Sequence, residues 1–117
     1  MDTQAEQIKR PAKQFALRII RLFRALPRAA EAQVIGRQLL RSGTAVAANY
    51  RAVCRARSKA EFVAKVGVVV EEADETVFWL EMLVEAGIVR AERMEPLLRE
   101  ANELLAIFAA SQRTART

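Results

Sequence analysis

Residues 33–87 constrain the fold of this chain more than any other part, because they predict two long helices joined by one marked turn. The turn is Ser58-Lys59-Ala60-Glu61. In this pattern the serine hydroxyl accepts a hydrogen bond from the amide three residues on, while the glutamate reaches back to the serine amide. Such a capping box begins a helix. The residues before the turn then form an antiparallel partner helix.

The antiparallel pair sets polar residues of the two helices against each other. Residues at equal distances from the turn face one another, so Arg41 lies level with Asp74 and Glu75. Asn49 falls in an apolar seam, level with Val66. A buried polar group without a partner costs about 1–3 kcal/mol, so we expect these groups to be paired. The predicted polar layer comprises Arg41, Ser42, Asn49, Asp74, Glu75 and Thr76.

The composition excludes several classes of protein. At 117 residues and 13.1 kDa, with 52% hydrophobic residues, we expect one domain with its own core. Only four Gly and three Pro leave little material for hairpins, so the class is all-α. No apolar run is long enough to cross a bilayer, and residues 1–6 do not resemble a signal peptide. The single Cys54 cannot form an internal disulfide, so we expect a cytoplasmic protein.

Apolar residues recur at helical spacing along the chain. In the first helix they are spaced alternately by four and three residues, at Ile8, Ala12, Phe15, Ile19, Leu22 and Leu26. Pro27 ends this helix, and Gly87 ends the third by adopting a left-handed conformation. The predicted helices span residues 8–26, 29–56, 59–86 and 91–112, followed by a frayed tail at 113–117. Because the connections are short, the single domain over 1–117 is predicted to be an antiparallel up-down-up-down four-helix bundle.

Charge is divided unevenly between the two halves of the chain. Residues 1–59 carry 13 Lys and Arg against three Asp and Glu, a net charge of +10; residues 60–117 carry 6 against 11, a net charge of −5. Two interpretations stay open. Either the charges pair within the bundle or across a subunit contact, or the first helix presents an unneutralised basic band that attracts phosphate. The candidate nucleic-acid-binding residues of this band are Arg10, Lys13, Arg18, Arg21, Arg24 and Arg28.

The sequence offers no catalytic constellation. It contains no His, which removes the commonest general base and most zinc sites, and it has no Gly-rich phosphate loop. The acidic run EEADE at 71–75 could supply carboxylate metal ligands, but the Glu-x-x-His pairs of di-iron bundles are missing. Salt bridges to Arg37 and Arg41 are the favoured interpretation of this run. We therefore expect no catalytic residue, no metal and no cofactor.

Two features predict contact with another copy of the chain. Gly36, Gly43 and Ala47 share one face of the second helix. A glycine inside a helix costs about 1 kcal/mol relative to alanine, so its presence suggests close approach of a neighbouring helix. Phe78 and Trp79 lie beside the apolar seam of the third helix, where they either flank the core or anchor an interface. These five residues are the predicted interface of a homo-oligomer.

Five short segments, in this order and spacing, resemble a known family. They are QLLRS at 38–42, VAANYRA at 46–52, RSKAEF at 57–62, EEADET at 71–76 and WLE at 79–81. The family is that of the 23S rRNA-intervening sequence proteins, to which the accessory variability protein of diversity-generating retroelements is similar. The resemblance implies an antiparallel four-helix bundle, commonly a homopentamer, with no known enzymatic activity. The retroelement relative implies a basic, nucleic-acid-binding assembly that partners a reverse transcriptase.

The sequence thus predicts a non-enzymatic, cytoplasmic homo-oligomer that binds RNA or DNA through its basic first helix. If it is encoded beside a reverse transcriptase, that enzyme is a further expected partner; a membrane is not. The alternative is a protein–protein interaction scaffold whose charges serve subunit contacts. A metal-dependent enzyme that uses the carboxylates of the third helix is a third and less favoured interpretation.

Overall fold

Four helices make up the computed structural model, which describes the backbone of residues 3–117 and the side chains of residues 6–117. They are α1 (Thr3–Ala25), α2 (Ala30–Val53), α3 (Lys59–Glu85) and α4 (Ala91–Arg116), with no strand among the described residues. The molecule measures 45 × 19 × 19 Å. At 1.5 Å per residue the helices are about 35–40 Å long, so they fit only along its long axis. The predicted all-α four-helix bundle is confirmed.

Both ends of α3 are capped by the predicted residues, but only half of the predicted capping box forms at its start. At its start the Glu61 amide donates a 3.1 Å hydrogen bond to the Ser58 hydroxyl. The Glu61 carboxylate does not complete the capping box, because it lies 3.0 Å from Lys65 Nζ, one turn further on. At the other end Gly87 adopts φ +75°, and the Ile88 amide donates to the Leu83 carbonyl at 2.9 Å. This is the Schellman arrangement, in which the amides of the left-handed glycine and of the next residue donate hydrogen bonds to carbonyl oxygens in the last turn of the helix.

Several predicted helix boundaries were wrong by a few residues. Helix α1 begins earlier than predicted, at Thr3, and α2 ends earlier, at Val53, after which the chain tightens into turn hydrogen bonds. The predicted frayed tail is also wrong, since α4 continues to Arg116. Residues 111 and 112 are half-buried, so the last turns of α4 still pack on the bundle.

The core runs the length of the bundle and takes side chains from every helix. Phe15, Leu39, Leu80 and Phe108, one from each helix, are almost completely buried. Helix α2 packs against α1 and α3, and α3 packs against α2 and α4, whereas α1 and α4 touch only sparsely. The side of the bundle between α1 and α4 is therefore the least closely packed.

Glycines bring α1 and α2 close together. A Cβ atom added at Gly43 would lie 2.9 Å from Ile19 Cγ1, and one added at Gly36 would lie 2.6 Å from Leu26 Cδ1. The later glycine of α2 thus contacts the earlier residue of α1, which is the order of contacts in an antiparallel pair of helices. The predicted steric need for glycine on this face is real, and α1 is the helix that requires it.

Candidate nucleic-acid interface

The basic residues of α1 lie mostly on its outer face. Arg10, Lys13, Arg21, Arg24 and Arg28 are exposed, the last just beyond the helix end. Among the side chains that the structure describes, none of these five forms an ion pair. The eight ion pairs found there include just one residue of the predicted band, Arg18, which pairs with Glu100 of α4. The interpretation that the charges cancel within the bundle therefore fails for most of this band.

The band is divided into two groups. Between Lys13 and Arg21 the outer face of α1 presents Gln14 and Leu17, and the Leu17 side chain is 45% exposed. Arg18 lies between them but pairs with Glu100, so Lys13 and Arg21 are successive cations without an ion pair to a described side chain, eight positions or about 12 Å apart along the helix. Each group adjoins a different neighbouring helix, so α1 carries two basic patches and not one continuous stripe.

The first group faces α2 across a groove of about 880 Å³. Arg10 and Lys13 lie on the α1 side, Arg51 lies on the α2 side, and Leu17 and Ala48 contribute apolar surface between them. Sequence reasoning missed Arg51 as a functional candidate. The sequence did contain a signal for its role: Arg51 lies four residues before Arg55, at the end of a helix that is predicted to run antiparallel to α1.

The second group reaches the end of the bundle, where α1 meets the start of α4. Arg18 and Arg21 line a cavity of about 440 Å³ together with Arg90 and Arg93. Two of these four charges are already neutralised, because Arg18 pairs with Glu100 and Arg90 Nε lies 3.8 Å from Glu92. This patch is therefore less basic than the groove between α1 and α2.

Part of the predicted polar layer is an ion-pair network between α2 and α3. The Arg41 guanidinium donates to Glu75 at 2.5 Å and to Glu72 at 3.2 Å. The Trp79 indole N–H also donates to Glu75, at 3.0 Å. The indole hydrogen bond, and after it the one from Arg41, lowers the pKa of the Glu75 carboxyl. Asp74 was wrongly placed in this layer: it is exposed on the outer side of α3, and Glu72 takes its place.

A second part of the layer is buried. Thr76 Oγ1 lies 2.9 Å from Ser42 Oγ and 2.7 Å from the Glu72 carbonyl oxygen, and Ser42 Oγ lies 3.3 Å from the Leu39 carbonyl oxygen. Asn49 does not join them; it is half-buried, and its amide is not part of this network. No buried side-chain N or O atom of the described residues lacks a hydrogen-bond partner. The layer therefore joins α2 to α3 and offers no unsatisfied group to a ligand.

The predicted oligomer interface needs correction at its glycines. Gly36 and Gly43 are buried under α1, so they cannot contact a second copy. Ala47 is half-buried beside the α1–α2 groove. Phe78 is 49% exposed on the outer side of α3, and Trp79 next to it is half-buried. Phe78 is the member of the predicted set with the largest surface available to a partner.

The acidic run of α3 does not converge on one point. Glu72 and Glu75 face Arg41, whereas Glu71 and Asp74 point outward. Among the described residues there is no group of three or more His, Cys, Asp or Glu that could hold a metal ion. None of the helices in the described part of the chain is long and apolar enough to span a membrane.

The fold and this surface define a small helical-bundle protein with cations gathered on α1 and α2 and carboxylates on α3. The chain belongs to the 23S rRNA-intervening sequence protein family, whose sequence profile matches residues 4–110. It is similar to the crystal structure of a protein of unknown function from the S23 ribosomal protein family of Bacteroides thetaiotaomicron. The two share 31% sequence identity with a TM-score of 0.83, over 90% of this chain and 97% of that chain. None of the curated proteins compared with the chain matches it.

Proposed function

We propose that this protein is a non-enzymatic, cytoplasmic bundle that binds nucleic acid, RNA or DNA, through the basic face of α1. The observation that carries the proposal is that Arg10, Lys13, Arg21, Arg24 and Arg28 are exposed and form no ion pair with the described side chains. Cations that are not neutralised internally attract phosphates and release counterions when they bind.

The α1 face favours contact with the nucleic-acid backbone over contact with bases. Its two aromatic residues are directed inward, since Phe15 is buried in the core and Phe23 is half-buried against Gly36. Base stacking requires an exposed ring. Phosphate contacts fix position but carry no sequence information, so binding is expected to depend steeply on salt and weakly on sequence.

Filter retention of a structured RNA and of a DNA duplex, at low and at high salt, tests this proposal. The wild type should retain both ligands at low salt and release them at high salt. The double variant Arg21→Glu, Arg24→Glu should bind about tenfold or more weakly at low salt, because two phosphate contacts become repulsive.

The double variant Arg113→Glu, Arg116→Glu is the matched control. It changes the net charge equally, at exposed positions with the same spacing in the last turn of α4. Equal losses in both double variants would mean that net charge alone governs retention. Failure of the wild type to bind either ligand at low salt would overturn the proposal.

We also propose that the protein self-associates as a closed homo-oligomer, with five subunits as the family resemblance implies. The outer side of α3 exposes Val68 and Phe78, 44% and 49% accessible, with the carboxylates of Glu71 and Asp74 between them along the helix. The outer side of α2 offers the complementary chemistry, since Val34 is 59% exposed and Arg37 is exposed one turn further on. Contact between α3 of one copy and α2 of the next would bury both apolar surfaces and pair both charges.

Light scattering tests this second proposal. The wild type should have a mass near five times 13.1 kDa at micromolar concentration. Phe78→Ser should lower the mass, whereas Ile107→Ser, at an exposed apolar residue of α4, should leave it unchanged. A monomeric wild type would refute self-association, and a Phe78→Ser variant of undiminished mass would show that α3 is not the contact.

A further inference from the structure

The groove between α1 and α2 continues beyond these two helices. A second concavity of about 490 Å³ lies on its far side and is lined by Arg55 of the α2–α3 connection and by Lys65 of α3. Both concavities share Ala48 and Arg51. They therefore adjoin across α2, and the surface that spans both, here named the basic groove, runs from the N-terminal half of α1 across the end of α2 to α3.

The middle of the basic groove concentrates positive charge from two sides. Arg10 and Lys13 stand on α1, and Arg51 and Arg55 stand at the end of α2 and just after it; all four are exposed. None of the four forms an ion pair with a described side chain. The cations at the two ends are instead partly neutralised, since Lys9 lies 3.5 Å from Glu6 and Lys65 lies 3.0 Å from Glu61. Like charges on facing walls of a concave surface add their fields and raise the local concentration of an anion.

The four cations are spread over a surface that extends across two helices, so the surface suits an extended polyanion better than a single small anion. The apolar part of the groove, contributed by Leu17, Ala47 and Ala48, has no aromatic ring among the lining residues, so it offers no stacking platform. We propose that the basic groove holds nucleic acid by its sugar–phosphate backbone, with Arg51 and Arg55 as phosphate contacts in addition to the cations of α1. This inference rests on the proposed nucleic-acid binding and names the path of the ligand off α1.

A purely structural role for these two arginines makes a different prediction. Cations near a helix C-terminus stabilise the helix by interacting with its dipole, typically by about 0.3–1 kcal/mol each. In that case their removal would lower the melting temperature and leave nucleic-acid affinity unchanged. Arg113 and Arg116 occupy the equivalent last turn of α4 but do not line the groove, so they provide a matched pair of substitutions.

The test is fluorescence anisotropy with a labelled single-stranded RNA of mixed sequence and with its fully paired duplex, measured between about 50 and 200 mM salt. The wild type should bind both RNA forms and lose affinity as the salt concentration rises. In Arg51→Gln, Arg55→Gln the slope of log affinity against log salt for the single strand should be shallower by about 1.4. Each lost contact removes about 0.7 from the slope. If the two proteins bind equally at 1 M salt, this change makes the affinity of the variant about 60-fold lower than that of the wild type at 50 mM salt.

Controls separate this inference from the proposed function. Arg51→Lys, Arg55→Lys keeps the charge and should keep the slope, and Arg113→Gln, Arg116→Gln should match the wild type; circular dichroism checks that each variant is folded. If the wild type binds but the Arg51, Arg55 variants keep their affinity while Arg21→Glu, Arg24→Glu loses it, the groove is refuted and the function stands. If the wild type binds neither RNA, the proposed function itself fails.

Discussion

Replacing Gly43 by alanine should destabilise the bundle, although alanine is the better helix former. Helix propensity alone would favour alanine by about 1 kcal/mol. The new Cβ atom, however, would lie 2.9 Å from Ile19 Cγ1 and 3.0 Å from Ile19 Cγ2. Ile19 is completely buried and branched at Cβ, so it cannot turn away without disturbing the core. Overpacking of this kind costs about 1–3 kcal/mol, so we expect a net loss of about 1 kcal/mol.

Gly67→Ala is the matched comparison within the same bundle. Its added Cβ would lie 2.8 Å from Gln112 Nε2, the far end of a flexible and half-buried side chain. Gln112 can move aside at little cost, so the helix-propensity gain of about 0.5–1 kcal/mol should remain. The two alanine variants should therefore shift stability in opposite directions, by about 2 kcal/mol relative to each other.

Urea denaturation followed by circular dichroism measures both shifts. The Gly43→Ala midpoint should fall and the Gly67→Ala midpoint should rise, with unchanged slopes of unfolding free energy against urea. A Gly43→Ala variant as stable as the wild type would refute the argument that α1 is packed against this glycine. The same experiment on Gly43→Leu should show a larger loss, because three more carbon atoms meet the same buried side chain.

Three further substitutions test the local interactions of α2 and α3. Ser58→Ala removes the hydroxyl that accepts the Glu61 amide and should cost about 1 kcal/mol in urea denaturation; no loss would show that the cap is dispensable. Thr76→Val keeps the shape but removes a buried hydroxyl, and should also cost about 1 kcal/mol; a gain in stability would show that the hydroxyl network is not needed. Arg41→Ala should cost less than about 1 kcal/mol at pH 7, since Arg41 is half-exposed. Because the folded-state pKa of Glu75 lies below its ordinary value of 4.5, its contribution is present above pH 4.5 and is lost as the pH falls through the folded pKa. The difference between wild type and Arg41→Ala should therefore shrink on acidification below pH 4.5, and a difference that grows would contradict the ion pair.

The fold could be predicted because local signals and tertiary packing agree. The Ser58 cap, the left-handed Gly87 and the spacing of apolar residues each mark a helix or its end within a few residues of sequence. Boundaries that depend on other helices were less accurate. The end of α4 shows this, since its last turns are retained by packing that the polar sequence at 111–117 does not reveal.

The site was harder to predict. The distance of a residue from the turn gives its position along the axis of the helix pair, but it does not tell which way its side chain points around the helix. Asp74 lies near the height of Arg41 yet points outward, whereas Glu72 lies two residues earlier and faces it. Each residue turns a helix by about 100°, so this two-residue difference decides which carboxylate makes the contact. The pairing of Arg18 with Glu100, 82 residues away, had no local signal at all.

The basic groove could not be read from sequence for the same reason. Arg10 and Lys13 are separated from Arg51 by about 40 residues, and the helix pairing that brings them together depends on the glycine contacts of α2. A helical projection of α1 alone places its cations in one stripe. The structure divides this stripe at Leu17 and joins one part of it to the end of α2.

The central claim is that exposed, unpaired cations bind nucleic acid by its phosphates, and the salt dependence of wild-type binding tests it most directly. Affinity for a single-stranded RNA, measured from about 50 to 200 mM salt, should fall linearly on logarithmic axes. If the four central cations of the groove each meet a phosphate, they contribute about −2.8 to the slope, from about 0.7 per contact, and contacts by the other cations of α1 make it steeper. A slope near zero, or no binding at the lowest salt, would contradict the account.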